Sequence, residues 1–182
     1  MSRSTVVTFR LAAAGRTLLV TATLALAMLP CAAAPKAAAP TLQGTITAVS
    51  DGMSLTLAVS GQPPLPLRLR DVEIPDACQP GSAESRQALA DFALNKPAIV
   101  QPGRRDGQGR AISTVKVDEA DLSRRMVEEG YAWSVRSKWD QGPLVKQERM
   151  AQTLKRGLHG AGKLSPTEFR KRHGACPPPA KS

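Results

Sequence analysis

The chain has 182 residues, 42% of them hydrophobic, which is enough to bury one sizeable core and too little for two full globular domains. With 25 Lys and Arg against 15 Asp and Glu, the net charge of +10 suits a polyanionic partner, nucleic acid or anionic lipid. Its few aromatics (Phe9, Phe92, Phe169, Tyr131, Trp133 and Trp139) cannot stack many bases of a single strand, nor line a haem or flavin pocket.

Residues 1–16 carry Arg3, Arg10 and Arg16 with no acid, and Thr17–Leu29 is an apolar run that ends at Pro30 before Ala32, Ala33 and Ala34. That order is a secretory signal peptide cleaved near Ala34, which predicts a secreted or periplasmic protein. A membrane anchor competes, but the run falls short of the roughly 20 residues a spanning helix needs. Lipidation of Cys31 is the other alternative, and Met28, Leu29 and Pro30 are poor neighbours for it. Cleavage removes three positive charges and no negative one, leaving +7 of the +10 on the mature chain. It also leaves Cys78 and Cys176 as an even pair in an oxidising compartment, which predicts a disulfide between them. A metal site drawing on Cys78, His173 and Cys176 is the rival, although no C-x-x-C is present.

After an Ala/Pro spacer, Thr41–Ser50 reads as a β-rich strand broken by Gly44, and Asp51-Gly52 turns the chain. Met53–Ser60 alternates Leu55, Leu57 and Val59 with polar or small residues. Gly61–Pro64 then turns into Leu65–Val72, where Leu65, Leu67 and Leu69 face away from Arg68 and Arg70. Ser82–Asn95 has helical spacing, with Ala88, Leu89, Phe92 and Ala93 on one side and Ser82 as N-cap. Pro97–Pro102 and Gly109–Val117 are two further strands around a Gly103–Arg110 hairpin, whose glycines lack the spacing of a nucleotide-binding loop. Asp121–Glu129 is a short helix ended by Gly130. Pro143 starts a longer one, with Leu144, Ala151, Leu154 and Leu158 on a single stripe and Lys146, Arg149 and Lys155 facing solvent. This order predicts an α+β fold: a five-stranded OB-type barrel with about three helices.

Five segments carry a resemblance: G-T-I-T-A-V-S-D-G-M-S-L-T-L (44–57), L-R-L-R-D-V-E-I-P-D-A-C-Q-P-G-S-A-E-S (67–85), D-G-Q-G-R-A (106–111), M-V-E-E-G-Y-A-W (126–133) and L-K-R-G-L-H (154–159). With the basic T-E-F-R-K-R-H (167–173), they resemble the thermonucleases, the staphylococcal-nuclease-like domains, over about Leu42–His173. The resulting domain organisation is a signal peptide (1–34), a spacer (35–41), the thermonuclease-like OB domain (42–173) and a Pro-rich tail (174–182).

The resemblance implies Ca²⁺-dependent phosphodiester hydrolysis of DNA and RNA. Such chemistry needs a cation and guanidiniums against the charge that builds on the phosphoryl oxygens, and a carboxylate to orient or deprotonate the water. By motif position, Arg68 and Arg110 stand at the two phosphate-binding arginines and Asp76 at the catalytic carboxylate. Asp51 and Glu73 are the carboxylates left for a metal, because Met53 replaces a ligand aspartate and a thioether is a poor donor to hard Ca²⁺. Glu73 is one methylene longer than the residue usual there, Ile74 replaces a small or hydroxylated one, and Asp76 is one methylene shorter. Arg136 and Lys138 lie near positions where family members often place aromatics against a base. Tyr131 and Trp133 are expected to pack the helix end against the barrel, and His159 and His173 to lie at the surface. The leading expectation is therefore a nucleic-acid-binding protein with hydrolysis weak or lost. An active Ca²⁺-dependent nuclease with a remodelled metal site, and a non-catalytic envelope module for a protein or anionic lipid partner, are the alternatives.

Overall fold

The computed structural model describes residues 40–177. The expected signal peptide, Cys31, most of the spacer and residues 178–182 lie outside the described residues. In chain order the elements are β1 (Leu42–Val49), β2 (Ser54–Ala58), β3 (Leu65–Leu69), β4 (Val72–Glu73), α1 (Ser82–Ala93), β5 (Pro97–Arg105), β6 (Ala111–Val117), β7 (Ala120–Asp121), α2 (Leu122–Glu128), β8 (Trp133–Ser134), α3 (Val145–Thr153), α4 (Gly157–Gly160) and α5 (Pro166–His173).

The alternating leucines do what their period requires. Leu55, Leu57, Leu67 and Leu69 are all at most 2% exposed, pointing into a barrel that also holds Ile46, Val100 and Val115. Antiparallel pairing runs β3-β2-β1-β5-β6, and a parallel β3–β6 pairing, Leu67↔Ala111 to Leu69↔Ser113, closes the ring. The result is a closed five-stranded barrel with helices, the OB-type α+β architecture expected, and closure leaves its main strands without open edges. Helices α1 and α2 pack on each other, on β1 and on β6, and bury Leu89, Leu122 and Met126. Each such side chain contributes about 1.5–3 kcal/mol of burial. Gly130 ends α2 in a left-handed conformation, φ 78°, as expected. Among the described residues no helix is long and apolar enough to cross a membrane.

Four local expectations change. The third strand stops at Leu69 rather than Val72, because Asp71 takes φ 63° and swings the chain out of the barrel. Val72 and Glu73 then pair with Ser134 and Trp133 in a separate two-stranded sheet. At the start of α1 the cap position belongs to Gly81, φ 108°, while the Ser82 hydroxyl donates to the Ala77 carbonyl. The long helix expected from Pro143 is two pieces: α3 ends at Thr153, Lys155 and Gly157 adopt positive φ, and Leu154 is left 54% exposed. This break lets the Leu158 amide reach the Gly130 carbonyl at 2.9 Å and buries Leu158 as α4 begins a new direction. Finally, the basic ending is itself a helix, α5, with Ser165 and Glu168 forming a capping box and Pro166 in its first turn.

Candidate functional site

The β1–β2 turn sets the floor of the site. The Asp51 carboxylate accepts from the Met53 amide and from the Ser54 hydroxyl, both at 2.8 Å, so its oxygens are engaged in shaping the turn. Gly52 is buried, and a Cβ there would lie 2.0 Å from the Ser85 hydroxyl oxygen, so no larger residue fits. Ser54 opens β2 opposite Arg68 of β3. The Arg68 Nε donates to the Met53 sulfur at 3.3 Å.

Arg110 reaches the same place from the base of the β5–β6 hairpin. Its Nε and Nη2 each lie 2.8 Å from Asp106 Oδ2, and its Nη1 donates to the Ser54 hydroxyl at 2.6 Å and lies 3.9 Å from Asp51 Oδ2. Burial pushes the Asp106 carboxyl up, but the Arg110 side chain and the Gln108 and Arg110 amides outweigh it and hold it below the usual carboxylate range. The structure thus brings Arg68 and Arg110 to adjacent residues, Met53 and Ser54, where the turn enters β2, with Arg110 only 19% exposed and largely committed to protein partners.

Beyond Arg68 lies a cleft of about 340 Å³ lined by Arg68, Arg70, Arg104, Asp71 and Ile112. Strand alternation puts Arg70 on the Arg68 face, where its Nη1 reaches the Thr114 hydroxyl at 3.4 Å and its Nε lies 3.9 Å from Asp71. Arg104, not singled out from the sequence, stands on the bulged arm of β5. Three guanidiniums against one carboxylate make the lining of this cleft positive.

The carboxylates divide between two further cavities. Asp51 and Asp76 line one of about 450 Å³ with Met53, Ile74 and Arg86. Glu73 lines another of about 510 Å³ with Trp133, Arg136 and Lys171, so the two expected metal carboxylates, Asp51 and Glu73, do not share a cavity. Asp76 and Glu73 meet instead at Arg170 of α5: its Nη1 lies 2.9 and 3.2 Å from the Asp76 oxygens and its Nη2 lies 3.9 Å from Glu73 Oε1.

After β8, Arg136 pairs with Glu148, a fully buried carboxylate that also accepts from the Ser134 amide and the Gln152 side chain, both at 3.0 Å. Arg136 is therefore a clasp for α3 rather than a free phosphate arm. Lys138 sits 4.7 Å above the ring of Trp139, which is 87% exposed. Trp133 is buried as expected. His159 is not a surface residue: half-buried edge-on against Trp133 at 5.1 Å, it is pushed down by burial, with Glu148 pulling it up and Arg136 pushing it further down.

Calcium does not fit this donor set. Asp51 is bonded to its own turn, Met53 offers sulfur to Arg68, and Asp76 and Glu73 face a guanidinium. Among the described residues, no three His, Cys, Asp or Glu side chains are grouped to hold an ion. The rival reading of Cys78, His173 and Cys176 as a metal site is also displaced, because Cys78 and Cys176 form the expected disulfide.

Comparison with known proteins matches residues 66–160, more than half of the chain, to the family described as "Staphylococcal nuclease homologue". The chain is 31% identical over 114 residues to a probable staphylococcal-like nuclease of rice (Oryza sativa subsp. japonica), covering 60% of this chain and 34% of the relative. It thus spans about a third of that relative's length. It is 23% identical over 128 residues to an uncharacterized endonuclease of Haemophilus influenzae, covering 69% and 71%. A micrococcal nuclease of Shigella flexneri is 25% identical over 127 residues, covering 64% and 72%.

Proposed function

Because the chain belongs to the staphylococcal nuclease homologue family, we propose that it is an exported nuclease-like protein that binds nucleic-acid phosphodiesters through its arginine cleft and hydrolyses them weakly or not at all. The observation that carries this reading is the contact between Arg68 and Met53. On one side of it stands a guanidinium whose terminal nitrogens find no ion-pair partner among the described residues. On the other side, a thioether occupies the position where the resemblance implies a metal-binding carboxylate. Phosphate binding is supported by what is kept, and loss of metal-dependent hydrolysis by what is replaced. Arg70 and Arg104 extend the positive surface to neighbouring phosphates of the same strand.

Export is part of the proposal. It is supported by the basic then apolar order of residues 1–34 and by the disulfide, which persists in an oxidising compartment. The proposed organisation keeps the signal peptide, spacer, OB domain and Pro-rich tail at 1–34, 35–41, 42–173 and 174–182.

The test uses purified residues 35–182 with single-stranded DNA, in calcium or in chelator, with an Arg68→Ala protein as contamination control. The expected outcome is binding that weakens steeply with salt, without cleavage. Cation-dependent cleavage that disappears in Arg68→Ala would establish the active-nuclease reading instead. Absence of DNA binding by the folded protein would favour a protein or lipid partner.

A further inference from the structure

The mismatch between this site and a divalent ion has a counterpart in α5. We propose that the Arg170 guanidinium is the resident cation of the Glu73–Asp76 pair, so that this chain needs no divalent metal to hold those carboxylates or to accept a phosphate beside them. The first half of this inference concerns the protein alone; the second rests on the nucleic-acid reading above.

Two carboxylates that face one point repel, and something positive must stand between them or one must take up a proton. Arg170 supplies that charge, with Nη1 shared between the two Asp76 oxygens and Nη2 turned to Glu73, so that one planar guanidinium serves both carboxylates. An ordinary surface ion pair loses most of its value to the entropy of two long side chains. Here that loss is reduced because the helix is anchored at both ends to the turn that carries Asp76. Before α5, the Gln79 amide donates to the Leu164 carbonyl at 2.7 Å, while the same side chain accepts from the Asp76 amide at 3.2 Å. After α5, Cys176 is bonded to Cys78, and the Cys78 amide donates to the Cys176 sulfur at 3.1 Å. Residues 76–79 therefore hold the carboxylate and both anchors of the helix that brings its counter-ion. Lys171, Arg172 and His173 lie in the same last turn, yet of these residues Arg170 is the one that meets the pair.

The consequence for binding is electrostatic. Asp76 and Met53 line one cavity, and Met53 touches Arg68, so an unbalanced carboxylate pair would repel a phosphate approaching Arg68. In a metal-dependent site the ion removes that repulsion. Here a covalently tethered guanidinium does so, and neither chelator nor added calcium is expected to change affinity for DNA.

The experiment is a calcium titration by calorimetry, with thermal melting in parallel, on the disulfide-bonded protein (residues 35–182), Arg170→Gln, Arg170→Lys and Arg172→Gln. The proposal expects Arg170→Gln to bind calcium at least about tenfold more tightly than the parent, and its melting temperature to rise with calcium. Arg170→Lys, which keeps a cation, and Arg172→Gln, which removes a neighbouring charge, should stay like the parent. Equal calcium affinity in Arg170→Gln and Arg172→Gln overturns the assignment, as does calcium binding by the parent at the level of Arg170→Gln. If Arg170→Gln fails to fold, folding of Arg170→Lys without gained calcium affinity supports the proposal, and failure of Arg170→Lys as well overturns it in favour of a packing role. None of these readings needs DNA, so a protein that binds no DNA but behaves this way removes the function proposed above and leaves the resident cation standing. For a protein that does bind DNA, chelator-insensitive affinity in the parent and calcium-dependent affinity in Arg170→Gln complete the case; the reverse pattern ends it.

Discussion

On the β3–β6 side of Met53, the charged groups stand on the barrel itself. Arg68 and Arg70 take their direction from strand alternation, and the parallel pairing that closes the ring fixes Arg68 opposite Ile112. On the other side, Glu73 and Asp76 hang on a two-residue strand and a turn that have already left the barrel at Asp71. The two regions have fared differently. The guanidiniums expected from the family resemblance are present, whereas Met53 stands where the resemblance implies a metal ligand, and Glu73 and Asp76 face Arg170 of α5. Placement on the barrel is set by strand register, while placement on a short excursion depends on the counter-charge that meets it.

The largest expected effect strikes the excursion. Cys176→Ser opens a disulfide that spans 98 positions and should cost about 2–4 kcal/mol of stability in denaturant unfolding. A loss below about 0.5 kcal/mol would mean that Gln79 and the Arg170 ion pair hold α5 unaided, and the contrast between a rigid barrel and a tethered counter-ion would weaken.

The barrel side is broken next. Arg68→Ala should weaken single-stranded DNA binding by about 1.5–3 kcal/mol, the range for a charge-assisted hydrogen bond, and lower the salt slope by about one. Fluorescence anisotropy across a salt series reads both. An unchanged slope would show that Arg68 contacts no phosphate and that the cleft's positive charge resides in Arg70 and Arg104.

These two regions were also unequally legible in the sequence. Alternation at Leu55, Leu57, Leu67 and Leu69 was enough to place the barrel strands and to put Arg68 and Arg70 on one face. A local pattern encodes that geometry directly. Helix α5 had a start signal in Ser165-Pro166-Thr167-Glu168, but it has no apolar stripe: of its residues only Pro166 is buried. It is held by Gln79, Asp76 and Cys78, contacts made 85 to 98 positions away, which no local periodicity encodes. The even pair of cysteines made the disulfide legible, yet not that it would carry Arg170 to Asp76. The break after α3 was hidden for the opposite reason. Leu154 continues the stripe of Leu144 and Ala151, but positive φ at Lys155 and Gly157 turns the chain before Leu154 can be buried.

A smaller effect is expected where the two regions touch. Met53→Asp restores an oxygen ligand, but Arg68 Nε already lies 3.3 Å from the side chain it would replace, and the new carboxylate would pair with that guanidinium. Alone, the substitution should change calcium affinity less than about threefold by calorimetry. Combined with Arg170→Gln it should exceed the product of the single effects by about threefold, because Asp76, which lines the same cavity as position 53, then has no guanidinium partner of its own. Strict additivity would show that positions 53 and 76 act on a cation independently, although they line one cavity.

The smallest effect concerns His159, which packs behind β8 rather than in the site. Its folded value lies below the ordinary 6.5, chiefly through burial, with Glu148 and Arg136 acting in opposite directions. A depressed histidine is protonated in the unfolded chain before the folded one. Its contribution to stability is therefore present above about pH 6.5 and is lost as pH falls through the folded value. His159→Phe keeps an aromatic edge against Trp133 and removes the titration. Between about pH 7.5 and 5 the parent's melting temperature should fall more than the variant's. Parallel curves would mean that His159 stays open to water in the folded protein. Steeper loss in the variant would place the acid sensitivity outside His159, whose neighbours Glu148 and Arg136 join the end of β8 to α3.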